Sequence, residues 1–376
     1  MTAPSPTQPE PAPAGMAVPA LIVALTMMGD TLLYAVLPLY AADFGVSLVV
    51  VGILLSLNRW VRLVANSVVA AIGNRFGPRR LMIFAAVAAT ASTVGYVVAP
   101  DPASLMVSRV VWGIAFASMN LALIAYAVSD RANAGKRVGA GRAAIGFFQA
   151  AALVGGTLLV AVLGARDVFL VMAAASAIAI ALSWWLPSLT PDPRQQEGFR
   201  LPMPGRLEVW GFSLGLVVDG IFLVTLSLLM KDTTLPLAPV VVTGVLLATR
   251  WLIEVLVAPA TGTLADRLGA RRLTLATGTV LLLGLALVAA GHDLAGAALV
   301  VTTRGIFNTL LPVMVAERAV GSAMTSQATY STWRDFGAAV GPVVAGIVFT
   351  TVAQPLLYGT CAALLALLLW LCVGRR

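Results

Sequence analysis

From Ala17 onward the chain is a succession of apolar runs, each about as long as the roughly 20 residues that carry a helix across a lipid hydrocarbon layer. Divided at charge clusters, prolines and glycines, the runs give twelve candidate spans. These begin near Ala17, Ser47, Arg80, Ala103, Val138, Asp167, Leu207, Leu237, Arg272, Ala295, Gln327 and Pro355. Hydrophobic residues make up 60% of the chain and charged residues only 11%, against roughly 25% charged in soluble globular domains. One soluble core cannot hide that much apolar surface. The expected class is a polytopic, all-α integral membrane protein.

The longest polar interruption is "PSLTPDPRQQEGFRLPMPGRLE", which holds five prolines from Pro187 to Pro204. It reads as a linker over 189–206 between a first six-helix bundle, 17–188, and a second, 207–376. The proline-rich start, 1–16, reads as a disordered tail. Arg59 is the first basic residue, so the start lacks the charged segment that opens a secretory signal peptide.

Sixteen of the 24 Lys and Arg residues fall in loops and ends on one side of this layout, among them Arg75, Arg79, Arg80, Arg267, Arg271 and Arg272. Two, Arg166 and Lys231, fall on the other. By the positive-inside rule both termini are expected in the cytoplasm, in a bacterial-type inner membrane. The same distribution explains a net charge of +8 without nucleic acid, which needs basic residues gathered on one face or helix. Cys361 and Cys372 lie eleven residues apart on one apolar run, about 16 Å of helical rise and too far for a disulfide. A single His, at 292, and no Cys/His cluster argue against a metal site. "NAGKRVG" lacks the leading glycine and the hydroxyl residue of a phosphate-binding loop, and "GAGRAAIG" opens an apolar span instead of following a strand. No cofactor is expected, and without an ATP site the chain is either a secondary carrier or dependent on a partner.

The two halves repeat each other. Asp30 and Asp219 stand 189 residues apart, as do Asp43 and Asp232, and Arg59-Trp60 matches Arg250-Trp251 at an offset of 191. "LLSLNRWVRLVANSVVAAIGNRFGPRRLM" in span two faces "LLATRWLIEVLVAPATGTLADRLGARRLT" in span eight. Parallel repeats of six helices are a known transporter arrangement, with the site between them near the midplane.

Ten ionisable residues remain inside spans: Asp30, Arg59, Arg62, Arg109, Asp219, Arg250, Glu254, Arg304, Arg334 and Asp335. Each costs at least ~2.5 kcal/mol if left facing lipid, so all are expected to face the bundle interior. The repeat suggests Asp30–Arg59 and Asp219–Arg250 as pairs, and Glu254, one turn after Arg250, as a second partner for it. Arg62, Arg109 and Arg304 are then left without an obvious acid. Asn58, Arg62 and Asn66 recur every four residues and share one polar face of span two. Six arginines against four acids suit a carboxylate or phosphate better than a cation. The candidate substrate or coupling residues are Asp30, Asn58, Arg59, Arg62, Arg109, Asp219, Arg250, Glu254, Arg304 and Asp335.

The loop "GTLADRLGARRLTL" resembles the signature Gly-x-Leu-Ala-Asp-Arg-x-Gly-Arg-Arg/Lys of the major facilitator superfamily at Gly262, Asp266, Arg267, Gly269, Arg271 and Arg272. The first-half copy, "AAIGNRFGPRRL", keeps Arg75 and Gly77 but has Ala70 for the glycine and Asn74 for the aspartate. "RVVWG", Arg109 to Gly113, is similar to the family's Arg-x-x-x-Gly pattern. Span five has Ala151-Ala152 where drug antiporters carry Gly-Pro, followed by Gly155-Gly156, whereas span eleven carries "GAAVGPVVAG" with Gly341-Pro342. These glycines equally suit close helix packing in lipid. The resemblance implies two six-helix bundles related by internal repeat. It also implies alternating access and a loop that locks against a neighbouring helix end in one conformation.

The expected function is therefore a secondary transporter, not an enzyme, working as a monomer on a small-molecule substrate and protons in membrane lipid. Export of a small organic compound is favoured because the span layout and loop resemble drug and metabolite exporters. The alternatives are a carrier for an organic anion or siderophore-like metabolite, in either direction, and a lipid flippase.

Overall fold

The computed structural model describes residues 15–129, 134–189, 203–232, 235–317 and 323–374. The expected tail lies outside the described residues up to 14, and the expected linker from 190 to 202. Asn74, Gly262 and Asp266, three of the expected loop-lock residues, also lie outside them beyond their place in a helix.

Twelve helical rods run through the described residues. They are α1 (Ala17–Val36), α2 (Leu48–Phe76), α3 (Pro78–Val98), α4 (Pro102–Val128), α5 (Ala134–Leu163) and α6 (Val168–Ser183), then α7 (Arg206–Asp232), α8 (Pro239–Leu268), α9 (Ala270–Ala289), α10 (Asp293–Glu317), α11 (Ala323–Val348) and α12 (Gln354–Gly374). Each starts within four residues of its expected position. Nine among the described residues are long and apolar enough to cross a membrane. Of the others, α6 is apolar but shorter, and α10 and α11 carry Arg304 and the Arg334–Asp335 pair.

Local chemistry sets many of the boundaries. Ser47 caps α2 by accepting from the Val50 amide. Asp101 caps α4 in a reciprocal box with Ser104, its carboxylate accepting the Ser104 amide at 2.9 Å. Proline fills the first turn of α3, α4, α8 and α12, where its missing N–H is not needed. Two single glycines turn α2 into α3 and α8 into α9. Gly77 and Gly269 have φ of 83° and 86°, which side-chain-bearing residues rarely adopt. The loop glycines of the repeated motif are thus one-residue corners.

Within α7 the helix widens into a π-helix at Gly215–Phe222, with Asp219 inside it. Glycines on both sides of the α7–α11 contact explain how the backbones come together there: Gly215 lies against the Arg334 carbonyl, and Gly220 against Gly341. The first half meets the second through α2 on α11 and α5 on α8. Gly52 packs on the Pro342 carbonyl, Gly346 on Leu48 and Val49, Ser56 donates to the Ala339 carbonyl, and Gly244 lies against Leu153 and Thr157. The glycine-rich stretch of α11 is therefore a packing surface. All these contacts fall in the half of the bundle remote from the arginine-rich loops.

Candidate functional site

On the arginine-rich side of these contacts the halves enclose a cavity of about 450 Å³, in the size range of small-molecule sites. Both repeats supply its walls. Asp30, Thr31 and Tyr34 come from α1, Asn58, Arg59 and Arg62 from α2, and Phe116 and Asn120 from α4. Across from them stand Asp219 from α7, Arg250, Trp251 and Glu254 from α8, Arg304, Phe307 and Asn308 from α10, and Tyr330, Arg334 and Asp335 from α11. Arg142 of α5 also lines the space, and its side chain is 67% exposed, which marks the mouth on the arginine-rich face.

Nine of the ten expected candidates line this cavity. Arg109, the tenth, stands behind the wall, fully buried, with its guanidinium on the Asp30 carboxylate. Here the pairing differs from the expectation. Asp30 is held by Arg109 of α4, not by Arg59, and Asp219 by Arg304 of α10, not by Arg250. The reason is packing: α4 and α10 point these arginines at α1 and α7, whereas Arg59 and Arg250 open into the cavity. The two ion pairs remain repeat-related, because α1–α4 in one half corresponds to α7–α10 in the other. Arg109 is fixed further by donating to the Leu54 carbonyl at 2.9 Å and to the Tyr96 hydroxyl at 3.0 Å. Arg304 also donates to Asn308, whose amide donates to Glu254 at 2.8 Å.

Glu254 likewise departs from its expected partner: its ion-pair contact is Arg142, at 4.0 Å, across the inter-half gap. Arg62 reaches Asp335 at 3.9 Å from the opposite half and stacks over Phe116 at 4.4 Å. Arg334 holds the same carboxylate at 3.3 Å. Arg59 lines the cavity with Tyr34, whose hydroxyl donates to the Leu55 carbonyl at 3.3 Å, and Arg250 lies 5.1 Å over its neighbour Trp251. Among the described residues neither makes an ion pair with a carboxylate. The polar face expected on α2 is graded: Asn58 is buried, Arg62 half-buried, and Asn66 exposed outside the cavity lining.

The sequence reading missed Tyr34, Asn308 and Tyr330. The first two had a signal, since each stands one helical turn after a buried charge, Asp30 or Arg304. Nothing in the sequence marked Tyr330.

The family model of the Major Facilitator Superfamily matches residues 20–342. The chain belongs to this superfamily. Curated protein sequences yield no match. In fold, this superfamily member is similar to the crystal structure of the nucleoside transporter NupG, with a TM-score of 0.77, 13% identity and coverage of 96% of this chain and 98% of that one. The D323A mutant of NupG gives a TM-score of 0.79, at 13% identity over 96% and 99%. The D-xylose-proton symporter gives 0.75, at 15% identity over 95% and 97%. At such identities the likeness shows the fold alone, an all-helical one.

Within this superfamily frame, part of the loop signature has a structural assignment. Arg271 donates from Nε to the Val373 carbonyl at 2.8 Å and from Nη2 to the Gly374 carbonyl, at the C-terminal end of α12. Arg79, its counterpart 192 residues earlier, donates to the Trp184 carbonyl at the end of α6. A cation on unsatisfied terminal carbonyls complements the helix dipole. Each of these arginines therefore ties its loop to the last helix of its own half. Arg75, Arg267 and Arg272 are exposed.

Proposed function

We propose that the chain is a proton-linked carrier that takes a small organic solute from the cytoplasm and exports it by alternating access. The observation that carries the alternating-access part of this reading is the cavity itself, whereas the export direction follows the likeness of the span layout and loop signature to exporters. Lined by both repeats, it reaches the exposed Arg142 on the arginine-rich face, while Gly52, Gly346 and Gly244 pack the halves together on the other side. The positive-inside rule makes that open face cytoplasmic, with both termini there, in a bacterial-type inner membrane. One chain supplies every wall, which supports a monomeric unit.

Four carboxylates line the cavity, and they differ in how firmly they are held. Asp30 and Asp219 each neutralise a buried arginine at hydrogen-bond distance, and a proton placed on either would strand that cation. Glu254 has a neutral amide donor and a 4.0 Å contact to an exposed arginine, so a proton there disturbs least. Glu254 is our candidate for the coupling proton. Its contact with Arg142 spans the two halves at the cavity mouth, so its charge also bears on closure.

Between a neutral or cationic compound and an organic anion, the surplus of guanidinium groups favours the anion. Purified protein in proteoliposomes with an internal pH dye tests the reading. Solute-dependent proton movement that Glu254→Gln abolishes is the expected result. Net solute flux with no proton movement would remove the proton linkage, and lipid scrambling without solute flux would favour a flippase.

A further inference from the structure

The cavity is over-supplied with positive charge, and the surplus is shared between the repeats. Seven arginines, counting Arg109 behind the wall, face four carboxylates. Arg109 and Arg304 are matched to Asp30 and Asp219, Arg142 stands at Glu254, and Arg62 shares Asp335 with Arg334. Arg59 and Arg250 are left, and they are the same residue of the two repeats, one from α2 and one from α8. The hydrogen-bonding inventory points the same way. Arg62 Nε, Arg250 Nε, Arg334 Nε and the Tyr330 hydroxyl are all buried without a partner in the described structure, against a single unpartnered acceptor in the lining, Asn58 Oδ1. A buried donor without an acceptor is costly, and four of them around one space call for an acceptor-rich occupant. Guanidinium groups suit carboxylate or phosphate oxygens, which accept two parallel bonds.

We propose that the solute is a small organic dianion that bridges the halves, one anionic group on Arg59 and Arg62, the other on Arg250 and Arg334. This rests on the carrier reading above and narrows its substrate class. A monoanion would leave one repeat's arginine uncompensated, and a cation would add to the surplus. A dianion lowers the excess from three charges to one, and it touches both halves, so it favours a conformation in which they close around it. Trp251 and Phe116, which carry the Arg250 and Arg62 guanidinium groups on their faces, hold these forks in place without consuming their donors.

Binding to the full-length purified protein tests this, with succinate, glutarate and adipate as dianions, butyrate as monoanion, succinamide as neutral isostere and putrescine as dication. At least one dianion is expected to bind about tenfold or more tightly than butyrate, because each charge-assisted contact contributes at least that factor. Arg59→Gln and Arg250→Gln should each remove that advantage, while Arg59→Lys and Arg250→Lys keep part of it and report that the fold is intact. No binding by any dianion, equal binding of butyrate, or binding unchanged in both Gln variants overturns the proposal. Counterflow of succinamide or putrescine without dianion binding overturns it while leaving the carrier reading in place. A dianion that binds as expected but shows no counterflow in proteoliposomes supports the site and removes the carrier reading.

Discussion

Arg304 grips Asp219 with both arms of its guanidinium, Nε to Oδ1 at 2.5 Å and Nη2 to Oδ2 at 2.7 Å, at a widened turn of α7. Both side chains are almost fully buried. Removing either partner leaves the other as an uncompensated buried charge, at a cost of about 3–5 kcal/mol. Asp219→Ala and Arg304→Ala should each lower the unfolding temperature of the purified protein sharply. The double variant Asp219→Leu with Arg304→Met should lose less than either single change. A double variant as damaged as the sum of the two would contradict this account of the pair.

Arg271 and Arg79 should behave alike, because each ties a loop to the terminal carbonyls of its own half. Arg271→Ala is expected to cost up to about 2 kcal/mol, the usual ceiling for a partly buried cation at a helix end. It should also raise protease sensitivity at the end of α12. Limited proteolysis followed by mass spectrometry reads this directly, and unchanged cleavage would exclude the cap.

Gly269→Ala places a side chain on a residue with φ of 86°. About 1–2 kcal/mol of strain is expected in the α8–α9 corner. Gly77→Ala should cost a similar amount at the α2–α3 corner, seen as reduced thermal stability of both variants by fluorescence-detected size exclusion. Loss at only one corner would mean that the repeated glycines have different tasks.

How far the sequence led is clearest at these charges. Helix starts and the loop signature were legible because lipid forces long apolar runs and because the repeat prints the same corner twice. The ion pairs were not. Asp30 meets Arg109 and Asp219 meets Arg304 across 79 and 85 residues of chain, respectively, and only the packing of α1 on α4 and α7 on α10 brings them together. Offset matching alone favoured the arginines of α2 and α8, which stand at equivalent places but face the cavity. The π-turn around Asp219 was equally hidden, since Gly215 and Gly220 read as packing residues in any helix.

The two signature loops differ in one residue, Asp266 against Asn74. A carboxylate can accept charge-assisted hydrogen bonds at a helix end, whereas an amide offers a neutral dipole. Asp266→Asn is expected to shift the balance of conformations by up to about thirtyfold, the equivalent of ~2 kcal/mol. Asn74→Ala should shift it far less. Crosslinking yield across the arginine-rich face separates the two, and equal shifts would contradict an asymmetric lock.

The central claim is that the halves rock about a fixed cavity, and paired distances on the two faces test it most directly. Spin labels at the exposed positions Arg75 and Arg267 report the arginine-rich face, and labels at Val162 and Leu237 report the opposite one. As the pH gradient or a bound solute is varied, the first distance should shorten in the same population in which the second lengthens. Two distances that stay fixed, or that lengthen and shorten together, would contradict alternating access in this chain.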